Sequence, residues 1–214
     1  MTARGTNEGR RLVGHRPRTA VGRWMLAVAV IGVVMAGAVA YRTWLATYHF
    51  AEVQRGVLYR DGNRSMRQFE IALGKGNIRT VVMLNDDGEA RKEPFASEIE
   101  LCRQRGVRLV RIPVGLGRRP NTEDVRRFLD VMADKSSHPV LVHCAQGVRR
   151  TGMMVAAYQM SETGLGAGQA KEAVLLWGRK WDRLADVRGF IDDYDAQARA
   201  VGSSHIVTRE QDAD

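Results

Sequence analysis

The chain reads as an α/β domain, a central and mostly parallel sheet flanked by helices, preceded by one N-terminal membrane-spanning helix. Three observations predict this. Along residues 53–200, apolar runs of strand length alternate with runs of helix length, the pattern of strands joined by helical crossovers. Residues 24–41 form an uninterrupted uncharged run. The stretch His143-Cys144-Ala145-Gln146-Gly147-Val148-Arg149-Arg150-Thr151-Gly152 lies between an apolar run opened by Pro139 and a helix-forming run from Met153. A strand therefore hands over to a helix at the cysteine.

Residues 1–23 are basic. The 214 residues carry 33 Lys and Arg against 24 Asp and Glu, a formal charge of +9. Seven of those basic residues and one of the acidic ones fall in 1–42, a net +6, which leaves +3 for the rest. The excess is an N-terminal feature, so no nucleic-acid partner is expected. Trp24 to Tyr41 would span about 27 Å as a helix, close to the thickness of a bilayer core. Trp24 at one end and Tyr41, Trp44 and Tyr48 at the other match interfacial aromatic belts. Arg4, Arg10, Arg11, Arg16, Arg18 and Arg23 precede the run, and Arg42 alone follows it closely. By the positive-inside rule the N-terminus is cytoplasmic and the remainder lies on the outer or periplasmic side, anchored by residues 24–41. The alternative is a cleaved signal peptide, with Ala38-Val39-Ala40 as an A-x-A site, Arg10-Arg11 as a twin-Arg start and secretion after cleavage near Ala40.

Residues 42–52 read as a juxtamembrane linker, 53–200 as the folded domain and 201–214 as a polar, flexible tail. Within the domain, Gly56–Arg60 is a first strand. Ser65 caps a helix that ends at Gly74. Thr80–Asn85 is an apolar strand and Asp86-Asp87-Gly88-Glu89 the loop after it. Pro94–Arg105 is helical and stopped by Gly106, and Val107–Ile112 alternates as a strand. Gly115–Asn121 is a loop, Thr122 caps a helix through Lys135, and Pro139–Val142 is the strand before the cysteine. Helices follow around 151–162, 168–180 and 183–199.

The 143–152 stretch has the makings of a phosphate trap. Backbone N–H groups of residues 145–150 (Ala145, Gln146, Gly147, Val148, Arg149 and Arg150) and the positive end of a helix converge there. Arg150 offers a planar fork that pairs two oxygens at once. Cys144 supplies a nucleophile whose thiolate is favoured by helix N-termini and nearby cations, and Thr151 a hydroxyl that can hydrogen-bond the sulfur as it departs. Gly147 lets the loop curl and Gly152 lets the helix start close to it. Arg149 adds positive potential at the rim, suited to several phosphates or an anionic lipid headgroup. His143 orders the loop and stabilises the thiolate.

His143-Cys144, five residues, then Arg150-Thr151 resembles the signature of cysteine-based protein phosphatases, specifically the small dual-specificity or atypical tyrosine phosphatase branch, over roughly residues 53–180. The resemblance implies the cysteine phosphatase fold and hydrolysis of phosphoesters through a phosphocysteine. It implies no cofactor, and a phosphorylated protein, small molecule or lipid headgroup as substrate. No metal is expected, because His143 lacks partner ligands and there is no Cys or His cluster.

One part of the family pattern is missing. The family commonly carries a general-acid Asp about thirty residues before the cysteine, and here no carboxylate lies between Glu100 and Glu123. Asp86 or Asp87, at a strand's carboxyl end, can supply the acid from the opposite loop. Glu123 or Asp124 can swing in from the start of a helix. A substrate with a good leaving group, such as an inositol pyrophosphate, needs no acid. Two other readings are a catalytically idle module that binds phosphorylated partners and a rhodanese-like sulfurtransferase. Cys102, in an amphipathic helix, is a core residue or a redox partner of Cys144.

Overall fold

The computed structural model describes residues 18–45 and 47–197. Most of the basic N-terminal segment and the whole 201–214 tail lie outside these residues. The chain divides into two units, Met1–Thr43 and Trp44–Asp214. The first is described by helix α1 (Arg18–Leu45). Within it Gly22–Arg42 is long and apolar enough to cross a membrane, a property that anchors and signal sequences share. Its large apolar side chains, Trp24, Ile31 and Val34 among them, are exposed.

The second unit is built on five strands, β1 (Tyr48–Gln54), β2 (Leu58–Gly62), β3 (Thr80–Met83), β4 (Arg108–Arg111) and β5 (Val140–Cys144), in the order β1-β2-β5-β3-β4. Only the β1–β2 pair is antiparallel, so the sheet is mostly parallel, as the alternation of strands and helices predicts. The middle strand β5 places Cys144 level with Gly62 of β2, one step beyond His143, which is level with Met83 of β3. Cys144 thus ends the central strand at its carboxyl edge, where open α/β sheets bind ligands.

Side chains alternate across the sheet. Val140, Val142 and Cys144 join a core that includes Phe128 of α5 (Thr122–Ala133), Met153 and Met154 of α6 (Arg149–Thr163) and Ile191 of α8 (185–197). Leu141 faces the other way, against Phe69 and Ala72 of α2 (Met66–Gly76) and Cys102 of α4 (Phe95–Arg105). Covered on both faces, the parallel strands are apolar runs rather than strict alternations. Helix α6 is buried almost all round from Arg150 to Tyr158, which makes it the centre of the packing. Each large apolar side chain buried there contributes about 1.5–3 kcal/mol.

Local signals place most helix ends. Ser65 caps α2 by accepting the Gln68 N–H, and Gly106 ends α4 in the left-handed region. Several boundaries differ from the sequence reading. Helix α2 runs past Gly74 to Gly76 and is closed by left-handed Asn77. Asn121, not Thr122, is the cap of α5, in a capping box with Asp124. Asp87–Ala90, read as loop, is a helical turn, α3. The helix expected over 168–180 stops at Ala173 (α7, Ala167–Ala173), because Trp177 and Gly178 both adopt left-handed backbone that no helix accommodates. The last helix follows a 3₁₀ turn at Trp181–Leu184.

The largest correction is to the linker. Residues 48–52, assigned to a juxtamembrane connector, belong to β1 and pair with β2 at Tyr48–Gly62, Ala51–Arg60 and Glu52–Tyr59. Two irregularities in that pairing break the two-residue alternation by which a strand is read. The folded unit therefore includes β1, ahead of residue 53.

Candidate active site

The loop between β5 and α6 is shaped by contacts from three directions. Gly147 takes φ +65°, and a Cβ there would run into the backbone carbonyl of Asp61. Gly62, at the end of β2, is pressed as closely against the Gln146 backbone. Both close approaches require glycine. The loop carbonyls are drawn outward: Arg60 Nη2 donates to Gly147 O at 2.7 Å, and His49 Nδ1 donates to Gln146 O at 2.7 Å. In a trans peptide plane the N–H points opposite to the C=O, so these bonds turn the next N–H groups inward. The Gly147 N–H, 3.2 Å from Cys144 Sγ, shows the result. The same dipole pattern suits an oxyanion above the sulfur.

Arg150 sits in the first turn of α6 and is 6% exposed. Its Nη1 and Nη2 bind Glu89 Oε2 and Oε1 at 2.5 and 2.9 Å, and Nη1 also donates to Val114 O at 3.0 Å. Glu89 is doubly employed, since its carboxylate also closes the capping box at the start of α3. Burial works against the Glu89 carboxylate, yet the Arg150 guanidinium and the Asp86 peptide hold it below the usual range.

Behind the loop lies a buried polar shell of Arg60, Asp61, Asn63, Glu98 and His143. Asn63 donates to Glu98 through its side chain and to Cys144 O through its backbone. Burial pushes Glu98 up to about 8 and His143 down to about 4, the latter helped by the Arg150 charge. The pair, 3.4 Å apart, is neutral in the interval between. His143 lies buried behind the loop beside Glu98, where burial disfavours its charged form. Burial raises the Asp61 carboxyl well above its ordinary range, and lowers Arg60 to about 10 against the opposing pull of Cys144.

The loop opens into a pocket of about 290 Å³. Cys144, Ala145 and Gln146 line it together with Arg149 and Arg150, Leu116–Arg118 form a wall, and Asp186 completes it. Four of the six expected phosphate-loop residues face this space. Gly147 and Val148 are buried behind it. Thr151 is buried in α6, and its hydroxyl makes no hydrogen bond to the sulfur.

None of the four expected acid candidates lines the pocket. Asp86 accepts the Glu89 N–H at 2.8 Å and the Leu116 N–H at 3.4 Å. The first of these bonds keeps its carboxyl below the usual range, as an acceptor rather than a proton donor. Asp87 pairs with Arg111 at 2.7 Å, Glu123 with Arg126 at 2.6 Å, and Asp124 with the Asn121 peptide. Cys102 and Cys144 are both free and pack on opposite faces of the sheet. Burial pushes the Cys102 thiol up to about 12, which suits a core residue and not a redox partner.

Sequence reasoning missed Glu89, Arg60, His49 and Asp186. The Asp86-x-x-Glu89 spacing of a capping box was a readable signal for Glu89, and the polar Arg60-Asp61 inside an apolar strand one for Arg60. Nothing local marks His49 or Asp186.

The family described as DSP-PTPase phosphatase fused to NAD+ kinase matches residues 50–175. The chain belongs to this family of cysteine-based phosphatases. Inositol diphosphatase DSP5 of Arabidopsis thaliana is 27% identical to this chain over 143 residues, 64% of the chain and 66% of that protein. Dual specificity protein phosphatase OPG106 of vaccinia virus (strain Copenhagen) is 30% identical over 87 residues, 41% of the chain and 47% of that protein. The chain thus spans less than two thirds of either relative. The core catalytic domain of the PP-IP phosphatase SIW14 from S. cerevisiae, solved with citrate, superposes with a TM-score of 0.54 at 16% identity, covering 73% of this chain and 91% of that one. At that identity it establishes a shared fold and no more.

Proposed function

We propose that this phosphatase is membrane-anchored and hydrolyses its substrate through a phosphocysteine on Cys144. In this reading Cys144 attacks phosphorus in line, and the inward N–H groups with the Arg150 fork stabilise the charge that spreads over the equatorial oxygens. Water then cleaves the intermediate. The observation that carries the reading is the junction of Cys144 Sγ, the Gly147 N–H at 3.2 Å and a buried Arg150 at the floor of one open pocket.

For the substrate, the pocket favours a multiply phosphorylated small molecule whose leaving group needs no protonation. Its lining holds three guanidinium-bearing residues, Arg118, Arg149 and Arg150. The 113–121 wall carries no carboxylate, and Asp86 is committed to peptide N–H groups. A phosphoanhydride of an inositol pyrophosphate meets these conditions, and the Arabidopsis relative is an inositol diphosphatase. Phosphotyrosine or dual-specificity protein hydrolysis is the second reading, supported by the viral relative and by the moderate basicity of a phenolate leaving group. The Arg149 and Arg118 rim also suits a phosphoinositide headgroup.

Phosphate release from inositol pyrophosphate, phosphoinositide, phosphotyrosine peptide and phosphoserine peptide separates these readings. The pyrophosphate should give the highest kcat/KM. Turnover of none would favour a phospho-binding module, and thiosulfate:cyanide activity a sulfurtransferase. Anchoring through residues 24–41, with the catalytic unit outside the cytoplasm, rests on the arginine asymmetry. A reporter fused to the C-terminus, active only outside the cytoplasm, checks it.

A further inference from the structure

Asp186 is the one carboxylate among the pocket-lining residues Leu116–Arg118, Cys144–Gln146, Arg149, Arg150 and Asp186. It lies in the first turn of α8, 42 residues past the cysteine, and no element of the catalytic loop's own sequence announces it. Its position is set by the loop itself. Arg149, the first residue of α6, donates through Nη1 to Asp186 Oδ2 at 2.8 Å and through Nη2 to the Arg183 carbonyl at 2.5 Å. This two-point clamp ties the start of α8 to the mouth of the phosphate trap. Oδ1 is different: it is shielded, and no donor meets it among the described residues. An ionised carboxylate is acceptor-only and each of its oxygens can take more than one donor, so the ion pair with Arg149 leaves room for a water on the same group.

We infer that Asp186 is the general base for the second half of the reaction, the hydrolysis of the phosphocysteine, and this rests on the phosphocysteine reading above. Water drawn toward the carboxylate forms its oxygen–phosphorus bond as the phosphorus–Sγ bond breaks. The water proton passes to the Asp186 carboxylate, which lines the pocket. The bond pair leaves with sulfur as a thiolate, which the Gly147 N–H faces at 3.2 Å, and Asp186 later returns the proton to solvent. The first half needs no such residue when the leaving group is good, and none of the expected acid candidates lines the pocket. The second half has a poor nucleophile whatever the substrate, because water must be deprotonated as it attacks. One carboxylate therefore serves one step, where a shared acid–base residue would serve both.

The test uses the full chain in detergent with p-nitrophenyl phosphate under rapid-quench conditions, comparing wild type, Asp186→Asn and Asp186→Glu. In D186N, one equivalent of p-nitrophenol per enzyme should be released in a burst at close to the wild-type rate. Steady-state kcat should then fall about 100-fold, with acid-stable phosphoprotein accumulating in place of free enzyme. D186E should recover part of the lost kcat. Three results overturn the inference while leaving the phosphocysteine intact. The first is an unchanged kcat. The second is a burst slowed as much as kcat, which assigns Asp186 to holding Arg149. The third is a burst slowed for phenyl phosphate but not for p-nitrophenyl phosphate, which makes Asp186 a donor to the leaving group. Absence of any trapped phosphoprotein in both wild type and D186N, despite turnover, would instead overturn the phosphocysteine reading. Should D186N melt early by circular dichroism, the burst and steady-state comparison of D186E against wild type decides by the same criteria.

Discussion

Glu89 grips Arg150 at two points, with Nη1–Oε2 at 2.5 Å and Nη2–Oε1 at 2.9 Å, and the same carboxylate closes the capping box that begins α3. A guanidinium 6% exposed is thereby fixed in orientation before any substrate arrives. Glu89→Gln keeps an acceptor but removes the charge, so kcat should fall roughly 10–100-fold, as for other lost positioning contacts. Glu89→Ala should add a stability loss on the order of 1–3 kcal/mol from the buried, unpaired cation. Steady-state kinetics and thermal melts read the two effects separately. An E89Q enzyme with wild-type kcat would mean that the Glu89 charge is not needed to orient Arg150, its acceptor and the Val114 and Leu84 carbonyls sufficing.

Cys144→Ser should abolish turnover of p-nitrophenyl phosphate while still binding an oxyanion such as tungstate, because the inward N–H groups and Arg150 are untouched. Arg150→Lys keeps the charge but loses the fork and should cost about 10²–10³ in kcat, typical of a lost oxyanion donor. Phosphate release and tungstate titration by calorimetry measure both. Residual turnover by the serine variant would place the nucleophile elsewhere.

Two glycines with the same backbone sign should behave differently. Gly147 and Gly164 both sit at positive φ, +65° and +67°, but a Cβ at 147 strikes the Asp61 backbone whereas at 164 it meets nothing within 4 Å. Gly164→Ala should cost about 1 kcal/mol of stability and leave kcat intact. Gly147→Ala should cost more, and should remove oxyanion binding because the loop must open to admit the methyl group. Melting temperature and tungstate affinity, measured side by side, distinguish strain from collision.

The Glu98–His143 pair sets a pH dependence of stability. Glu98 titrates near 8 when folded against an ordinary 4.5, so between pH 4.5 and 8 the folded chain holds the extra proton and stability falls as pH rises. His143 titrates near 4 when folded against 6.5, so between pH 4 and 6.5 the unfolded chain holds the extra proton and stability rises with pH. The two slopes oppose from 4.5 to 6.5, which leaves a Glu98-driven decline from 6.5 to 8. Glu98→Gln retains the acceptor for Asn63 and should abolish that decline, on the order of 1 kcal/mol per pH unit. Chemical denaturation across pH 4–9 checks it, and parallel profiles for the two proteins would contradict the assignment.

The parts of this fold readable in advance are those whose cause lies within a few residues. The strand at 80–83 is an apolar run, α4 ends where Gly106 turns left-handed, and α2 starts where Ser65 can reach the Gln68 N–H. Where local cues compete with distant packing, the reading slipped. Tyr48–Gln54 carries an irregular pattern that becomes a strand only because β2 presents an open edge to pair with. The stretch 174–180 favours helix by composition until Trp177 and Gly178 take left-handed backbone, Trp177 in a stack with His49 at 4.6 Å.

The catalytic loop shows the same division. By itself the sequence determined the apolar N-terminal helix, the strand-to-helix handover at Cys144 and the five-residue spacing to Arg150, because each is a matter of chain neighbours and backbone geometry. Tertiary structure alone decided the company around them. Glu89 meets Arg150 from 61 positions away, Arg60 and His49 turn the loop carbonyls from 87 and 97, and Asp186 reaches Arg149 from 37. Contacts across such separations arise when strands pair and helices close over them, and no local pattern encodes which carboxylate will arrive.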